Sequence, residues 1–141
     1  MERCYCSYIP DFISFCSADW ISHVKINNKM VQQKNSSSTD MYDMIDTVRY
    51  SVDHKNILKK SNKFNNRDLP NVIVTPLDFN SCGLSWLRED DEYILMSQMY
   101  FDKVLYIIYC DGLKFDGDKK ESIEKIKLWN DTIPCPLSEI I

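Results

Sequence analysis

Six cysteines constrain what this chain of 141 residues can fold into more than any other feature of its sequence. Half of them lie in the first sixteen residues and half lie far along the chain: Cys4, Cys6, Cys16, Cys82, Cys110 and Cys135. An even number of cysteines fits an oxidised framework. Cys4 and Cys6 cannot easily bond each other, because a disulfide needs facing Cβ atoms and only one residue separates the two. We therefore predict three disulfides that join the N-terminal segment to three later elements, with the pairing left open.

Free thiols or a zinc site are the alternative to disulfides. The sequence has no Cys-x-x-Cys pair and only two histidines, His23 and His54, whereas structural zinc sites draw ligands from pairs about two to four residues apart. Disulfides predict a secreted, extracellular protein. No apolar signal segment follows Met1, so we interpret residues 1–3 as an extension in front of the Cys4-Tyr5-Cys6 segment. The triplets at Asn35 and Asn130 are candidate glycosylation sites, as expected of a secreted protein.

Length and charge narrow the functional class. A chain of this length predicts a single domain over residues 1–141. A net charge of −4 argues against nucleic acid as the main partner, and the longest apolar run, residues 104–110, is too short to span a membrane. No P-loop, HExxH motif or nucleophile elbow occurs, so we expect neither an enzyme nor a bound cofactor or metal. A basic stretch could bind a heparin-like polyanion or form a solvated loop; its residues are Lys55, Lys59, Lys60, Lys63 and Arg67.

The hydrophobic pattern predicts a mainly β protein. Apolar residues at three-residue steps indicate a helix over residues 12–21, and alternation indicates strands at 21–26, 47–58, 72–75 and 93–96. Residues 104–109 are apolar on both faces, which predicts a central strand. A capping box at Asp118 predicts a helix over 119–130. Five strands and two helices without βαβ alternation indicate a closed or partly closed antiparallel barrel, with Phe12 and Phe15 packed inside and Tyr5 and Tyr8 exposed.

The cysteine spacing resembles the N-terminal domain of the tissue inhibitors of metalloproteinases, a netrin-like domain with an OB-type barrel. The resemblance includes Phe15-Cys16-Ser17-Ala18-Asp19, Cys82-Gly83, Glu92-Tyr93-Ile94-Leu95 and Cys110-Asp111. It implies the disulfides Cys4–Cys82, Cys6–Cys110 and Cys16–Cys135. Single-domain forms of this kind are similar to secreted proteins of nematodes, including parasitic ones, which implies an immunomodulatory, anti-inflammatory role through a host cell-surface or immune target.

The resemblance also implies a protease-binding edge. In the family, the amine and carbonyl of the first cysteine chelate the zinc of a matrix metalloprotease, and the next side chain enters the specificity pocket. Here that edge would comprise Cys4, Tyr5, Cys6, Ser7, Tyr8, Asn80, Ser81, Cys82 and Gly83. Tyr5 departs from the small Ser or Thr usual in the family. The Cys4 nitrogen lies in a peptide bond with Arg3, and an amide nitrogen cannot ligate zinc. We therefore expect a non-inhibitory binding protein in this form, and a metalloprotease inhibitor if processing exposes Cys4.

Overall fold

A computed structural model describes residues 4–6, 10–112, 119–132 and 135. Its helices are α1 (Asp11–Ser17), α2 (Tyr109–Gly112) and α3 (Lys119–Thr132), and its strands are β1 (Trp20–Gln32), β2 (Thr47–Lys60), β3 (Val72–Pro76), β4 (Glu92–Ser97) and β5 (Leu105–Tyr106). Short 3-10 turns occupy Met41–Met44, Asn62–Phe64 and Phe79–Ser81. Helix α1 ends and β1 begins earlier than the periodicity predicts. Residue Asp118, the predicted helix cap, lies outside the described residues.

The five strands form one sheet in the order β4-β1-β2-β3-β5. All pairs are antiparallel except β3 and β5, which are parallel. Strand β1 shifts register against β2 at three points, and such bulges increase the twist of a strand. No pairing joins β4 to β5 among the described residues, so the sheet is open. The mainly β prediction is confirmed. The closed or partly closed antiparallel barrel is supported only in part, because the sheet is not closed and the β3–β5 pair is parallel.

Strand β5 is the main difference from the predicted topology. The apolar pattern predicts a central strand over residues 104–109, but only Leu105–Tyr106 pair, and they lie at the end of the sheet order. The segment is nevertheless covered on two sides: Val104 packs with Tyr42 and Val74, whereas Leu105 lies in the main core. The chain then turns into α2 at Tyr109. An apolar pattern on both faces therefore indicates that a segment is buried, but it does not show that the segment is a central strand. Here the segment is buried by side chains of the main core and by Tyr42 and Val74.

Two hydrophobic layers lie on opposite faces of the sheet. The larger core includes Trp20, Tyr50 and Leu95, all fully buried. On the opposite face, Phe15 of α1 and Ile126 of α3 pack over the sheet; we call this layer the outer-face cluster, whose buried members are Phe15, Ala18, Ile21, Leu58, Ile94, Met96 and Ile126. The predicted packing of Phe15 is confirmed. Among the described residues, no helix is both long and apolar enough to cross a bilayer.

Candidate functional site

Two disulfides attach the start of the chain to one side of the sheet. Cys4 is bonded to Cys82 with a Cα–Cα distance of 5.1 Å, and Cys6 to Cys110 with a Cα–Cα distance of 5.3 Å. The third bridge joins Cys16 of α1 to Cys135, which follows α3. This is the pairing that the resemblance implied. We call residues 4–6, the loop 79–83 and Cys110 together the edge; the other predicted edge residues, Ser7 and Tyr8, lie outside the described residues.

The loop that carries Cys82 is shaped by local hydrogen bonds and one glycine. The Asp78 side chain accepts a hydrogen bond from the Asn80 backbone N–H at 2.9 Å, which begins the 3-10 turn. The turn ends at Cys82, whose φ of 64° is left-handed. A Cβ on Gly83 would lie 1.8 Å from the Pro76 carbonyl oxygen. Only glycine therefore allows this loop to lie against the end of β3.

A buried threonine ties the two cysteine-bearing loops to the sheet. The Thr75 hydroxyl accepts a hydrogen bond from the Leu84 N–H at 2.8 Å and donates one to the Ile107 carbonyl at 2.8 Å. The Tyr109 N–H donates directly to the Cys82 carbonyl at 2.7 Å. Backbone hydrogen bonds thus fix Cys82 and Cys110 relative to each other, in addition to their disulfides with Cys4 and Cys6. The edge is therefore a preformed surface.

Exposed aromatic side chains surround the two bridges. Tyr5 is 85% exposed, and Phe79 and Tyr109 are 52% and 42% exposed, with their ring centroids 6.1 Å apart in an edge-to-face arrangement. The exposure predicted for Tyr5 is confirmed. The sequence did not identify Phe79 and Tyr109 as residues beside the two bridges. The apolar pattern places Tyr109 in a central strand, and no pattern singles out Phe79. Their closeness in sequence to Cys82 and Cys110 was the signal that could have found them.

The sulfur atoms of the edge form a compact group. The Cys110 Sγ lies 3.9 Å from the Cys4 Sγ and 3.8 Å from the Cys82 Sγ, and the Sγ atoms of Cys4, Cys6 and Cys110 all lie within 4.8 Å of one another. A cysteine ligates a metal ion as a thiolate, and every cysteine of the chain is in a disulfide. In the oxidised protein these sulfurs are therefore crosslinks.

Comparison with known proteins decides the family of a chain with this bridge pattern. The family model described as tissue inhibitor of metalloproteinase matches residues 2–116, which covers all five strands and both edge disulfides. The chain belongs to the tissue inhibitor of metalloproteinase family. It is also 29% identical over 126 residues to a Caenorhabditis elegans protein named "Putative metalloproteinase inhibitor tag-225", covering 89% of this chain and 77% of that protein.

The histidines of this tissue-inhibitor chain are structural. His23 Nε2 lies 2.7 Å from Glu92 Oε1 and links β1 to β4. His54 Nδ1 lies 2.7 Å from the Ser22 hydroxyl, and its Nε2 lies 2.8 Å from the Pro70 carbonyl. A Ser–His contact is a feature of hydrolases, but Ser22 is fully buried and no substrate reaches it. The members of this family are inhibitors and not enzymes, and the chain is accordingly not an enzyme.

The basic stretch is less available than the sequence indicated. The Lys59 ammonium donates to the carbonyls of Phe15 and Cys16 at 2.6 and 3.1 Å and lies over the Phe15 ring. These carbonyls are at the C-terminal end of α1, where a cation is stabilising. Burial lowers the pKa of Lys59, and Asp19 opposes that shift. Lys63 lies 3.3 Å from Asp19. Lys59 therefore belongs to the packing of the tissue-inhibitor fold and not to a polyanion surface.

The two glycosylation candidates have different surroundings. Asn35 is exposed in the loop between β1 and β2, where its side-chain oxygen accepts a hydrogen bond from the Ser37 N–H. Asn130 is exposed on α3, but its side-chain nitrogen donates to the Leu58 carbonyl at 3.1 Å. That nitrogen is the atom to which a glycan would be attached. Both sites stay predictions, with Asn35 the less encumbered acceptor.

Proposed function

We propose that this protein binds metalloproteinases through the edge, and that it inhibits them when Cys4 is the first residue of the chain. The observation that carries the proposal is the position of Tyr5. Its side chain is 85% exposed, while the cysteine on each side is bonded to a different part of the chain. The two disulfides restrain the backbone that presents this side chain before binding, which lowers the entropic cost of association.

The proposed mechanism uses two backbone atoms and one side chain. The Cys4 amine nitrogen and carbonyl oxygen would ligate the protease's catalytic zinc in place of its water, and Tyr5 would enter the pocket beside the metal. The loop 79–83 would flank the segment, with Phe79 and Tyr109 supplying apolar contacts, since aromatic side chains dominate many binding interfaces. The membership of the family and the name of the Caenorhabditis elegans relative support this assignment.

The protonation and bonding state of the Cys4 nitrogen sets the condition for inhibition. A neutral amine has a lone pair for zinc, whereas the nitrogen of an amide does not ligate. With Arg3 attached, the Cys4 nitrogen is an amide. We therefore propose that the chain with residues 1–3 does not inhibit by this mechanism.

A non-inhibitory binding role is the second candidate, and the Arg3–Cys4 peptide bond is the observation that favours it. In this role the same edge would bind an extracellular protein, such as a host cell-surface or immune target, without engaging zinc. Six cysteines in three disulfides support an extracellular location. We further propose that the open five-stranded sheet is a partly open OB-type barrel within a single netrin-like domain.

Titration of two forms against matrix metalloproteases tests the proposal. One form begins at Cys4 and the other retains residues 1–3, and the hydrolysis of a peptide substrate reports inhibition. We expect stoichiometric inhibition by the first form only. The matched control is the first form with its α-amino group acetylated, which should lose inhibition while its far-ultraviolet circular dichroism stays unchanged. Equal activity of the acetylated form would refute zinc ligation by the amine, and no inhibition by any form would leave the non-inhibitory role.

A further inference from the structure

The four sulfur atoms of the two edge disulfides lie close enough together to share one metal ion once both bonds are reduced. Two non-bonded distances, Cys110 Sγ to Cys4 Sγ and Cys110 Sγ to Cys82 Sγ, are 3.9 and 3.8 Å. In a tetrahedral zinc site with four thiolates, a Zn–S bond of about 2.3 Å places neighbouring sulfurs about 3.8 Å apart. The Cys6 Sγ lies within 4.8 Å of the Cys4 Sγ. The two bonded pairs, Cys4–Cys82 and Cys6–Cys110, separate to about 3.8 Å in such a site after reduction.

We propose that reduction of the two edge disulfides converts Cys4, Cys6, Cys82 and Cys110 into a four-thiolate zinc site. Each disulfide accepts two electrons from a phosphine and two protons from water, whose oxygen is transferred to the phosphine to give the phosphine oxide. Four thiols result. Binding of one Zn²⁺ then releases their four protons, because the metal binds the thiolate form. This site is separate from the zinc of a target protease, and the inference does not depend on the proposed function.

The backbone around the site holds two of the four ligands without help from the disulfides. The Tyr109 N–H bonds the Cys82 carbonyl at 2.7 Å, and Thr75 fixes the segments that follow Cys82 and precede Cys110. None of these hydrogen bonds involves a sulfur atom, so reduction removes none of their donors or acceptors. Cys4 and Cys6 are supplied together by one short segment, so a single movement of that segment adjusts both remaining ligands.

The third bridge provides an internal comparison. Cys16 and Cys135 are bonded to each other beside the outer-face cluster, against which both pack. They contribute two thiols on reduction, but a structural zinc site needs four ligands. The proposal therefore predicts one metal ion per chain and a clear division of the six cysteines into four ligands and two bystanders.

Metal titration of the full chain tests the site. The protein is reduced with a phosphine under anaerobic conditions, freed of reductant, and titrated with Co²⁺ and then Zn²⁺. We expect one equivalent of Co²⁺ with the intense visible absorption of tetrahedral thiolate coordination, displaced by Zn²⁺. The oxidised chain should give no such absorption. The variant Cys16→Ser/Cys135→Ser should keep the site, whereas Cys4→Ser/Cys82→Ser should lose affinity by more than the roughly 10–100-fold seen for outer-shell changes.

Alkylation of the natural sequence gives a readout that does not rely on the folding of any variant. With Zn²⁺ bound, Cys16 and Cys135 should react with iodoacetamide while the other four cysteines are protected, as mapped by mass spectrometry. Uniform alkylation of all six cysteines, or equal metal affinity of the two double variants, would overturn the proposal. So would protection of Cys16 and Cys135 together with the edge cysteines, since that pattern describes a reduced chain that binds metal without a defined site.

Discussion

Disulfides crosslink both the edge and the segments beside the outer-face cluster, but the side chains around the bridges are exposed at the edge and buried at the cluster. Beside Cys16–Cys135, Phe12, Phe15 and Trp129 pack ring against ring, with centroids 5.5 to 6.2 Å apart. At the edge, Tyr5 is almost fully exposed. Apolar burial and a crosslink therefore act together at α1, whereas at residues 4–6 the crosslinks and backbone hydrogen bonds replace burial. This difference leaves the edge side chains free to contact another protein.

Truncation of Phe15 is expected to have the largest effect on stability. Phe15 is 2% exposed in the outer-face cluster, and Phe15→Ala should lower the free energy of unfolding by about 3–5 kcal/mol, because it removes buried apolar area and leaves a cavity. The matched control Tyr5→Ala should change it by no more than about 0.5 kcal/mol. Urea denaturation followed by tryptophan fluorescence measures both. Similar losses in the two variants would contradict the contrast between packed and presented aromatics.

Removal of single bridges separates stability from binding. The bridges Cys4–Cys82 and Cys16–Cys135 span 78 and 119 residues, and loop entropy changes little over that range, so each double Ala variant should lose about 2–4 kcal/mol of unfolding free energy. Only the edge variant should also lose affinity for a metalloprotease. Unfolding in urea and inhibition by the form that begins at Cys4 measure the two effects. Loss of inhibition in both variants would show that the edge depends on α1 packing.

The Thr75 hydroxyl connects the sheet to the segments beside Cys82 and Cys110. Its removal should lower the free energy of unfolding by less than the removal of a bridge. Thr75→Val keeps the shape of the side chain but leaves the Leu84 N–H and the Ile107 carbonyl without this partner, which should cost about 1–3 kcal/mol. Thr47→Val is the matched control, because Thr47 is also fully buried and its hydroxyl has no hydrogen-bond partner among the described residues. Denaturation midpoints test the pair, and equal losses would remove the argument that Thr75 positions the two cysteine-bearing loops.

The smallest expected effect is a pH dependence from Tyr50. Burial raises the pKa of Tyr50 in the folded state above its ordinary value of 10.0, so the folded chain keeps a proton that the unfolded chain releases. The free energy of unfolding should therefore fall as pH rises above about 10. Tyr50→Phe should lessen this fall, and at neutral pH it should cost about 1 kcal/mol for the lost bond to the Leu84 carbonyl. Tyr5→Phe is the exposed control. Burial lowers the pKa of Lys59 from its ordinary value of 10.5. Just below that value the unfolded chain therefore holds a proton that the folded chain has lost, and this group makes the free energy of unfolding rise with pH.

The alternating and three-residue patterns of this sequence were sufficient to predict a mainly β fold, because these periodicities depend on the local backbone conformation. They predicted β2 and β3 to within two residues at each end. They failed at β5, where burial on both faces was equated with a central strand. The hydrogen bonds of Thr75 and the contact between Phe79 and Tyr109 could not be predicted from the sequence either, since they join residues that are distant along the chain.

By itself, the sequence determined that the chain is mainly β and that its six cysteines fit an oxidised framework, because residue types and short-range periodicity are sufficient for those conclusions. Only the tertiary structure decided that β5 lies at an open edge, that Lys59 turns inward, and that four cysteine sulfurs converge beside exposed aromatic rings. The reason is that these features depend on which distant surfaces pack together. Long-range packing is a property of the whole chain, and no local pattern specifies it.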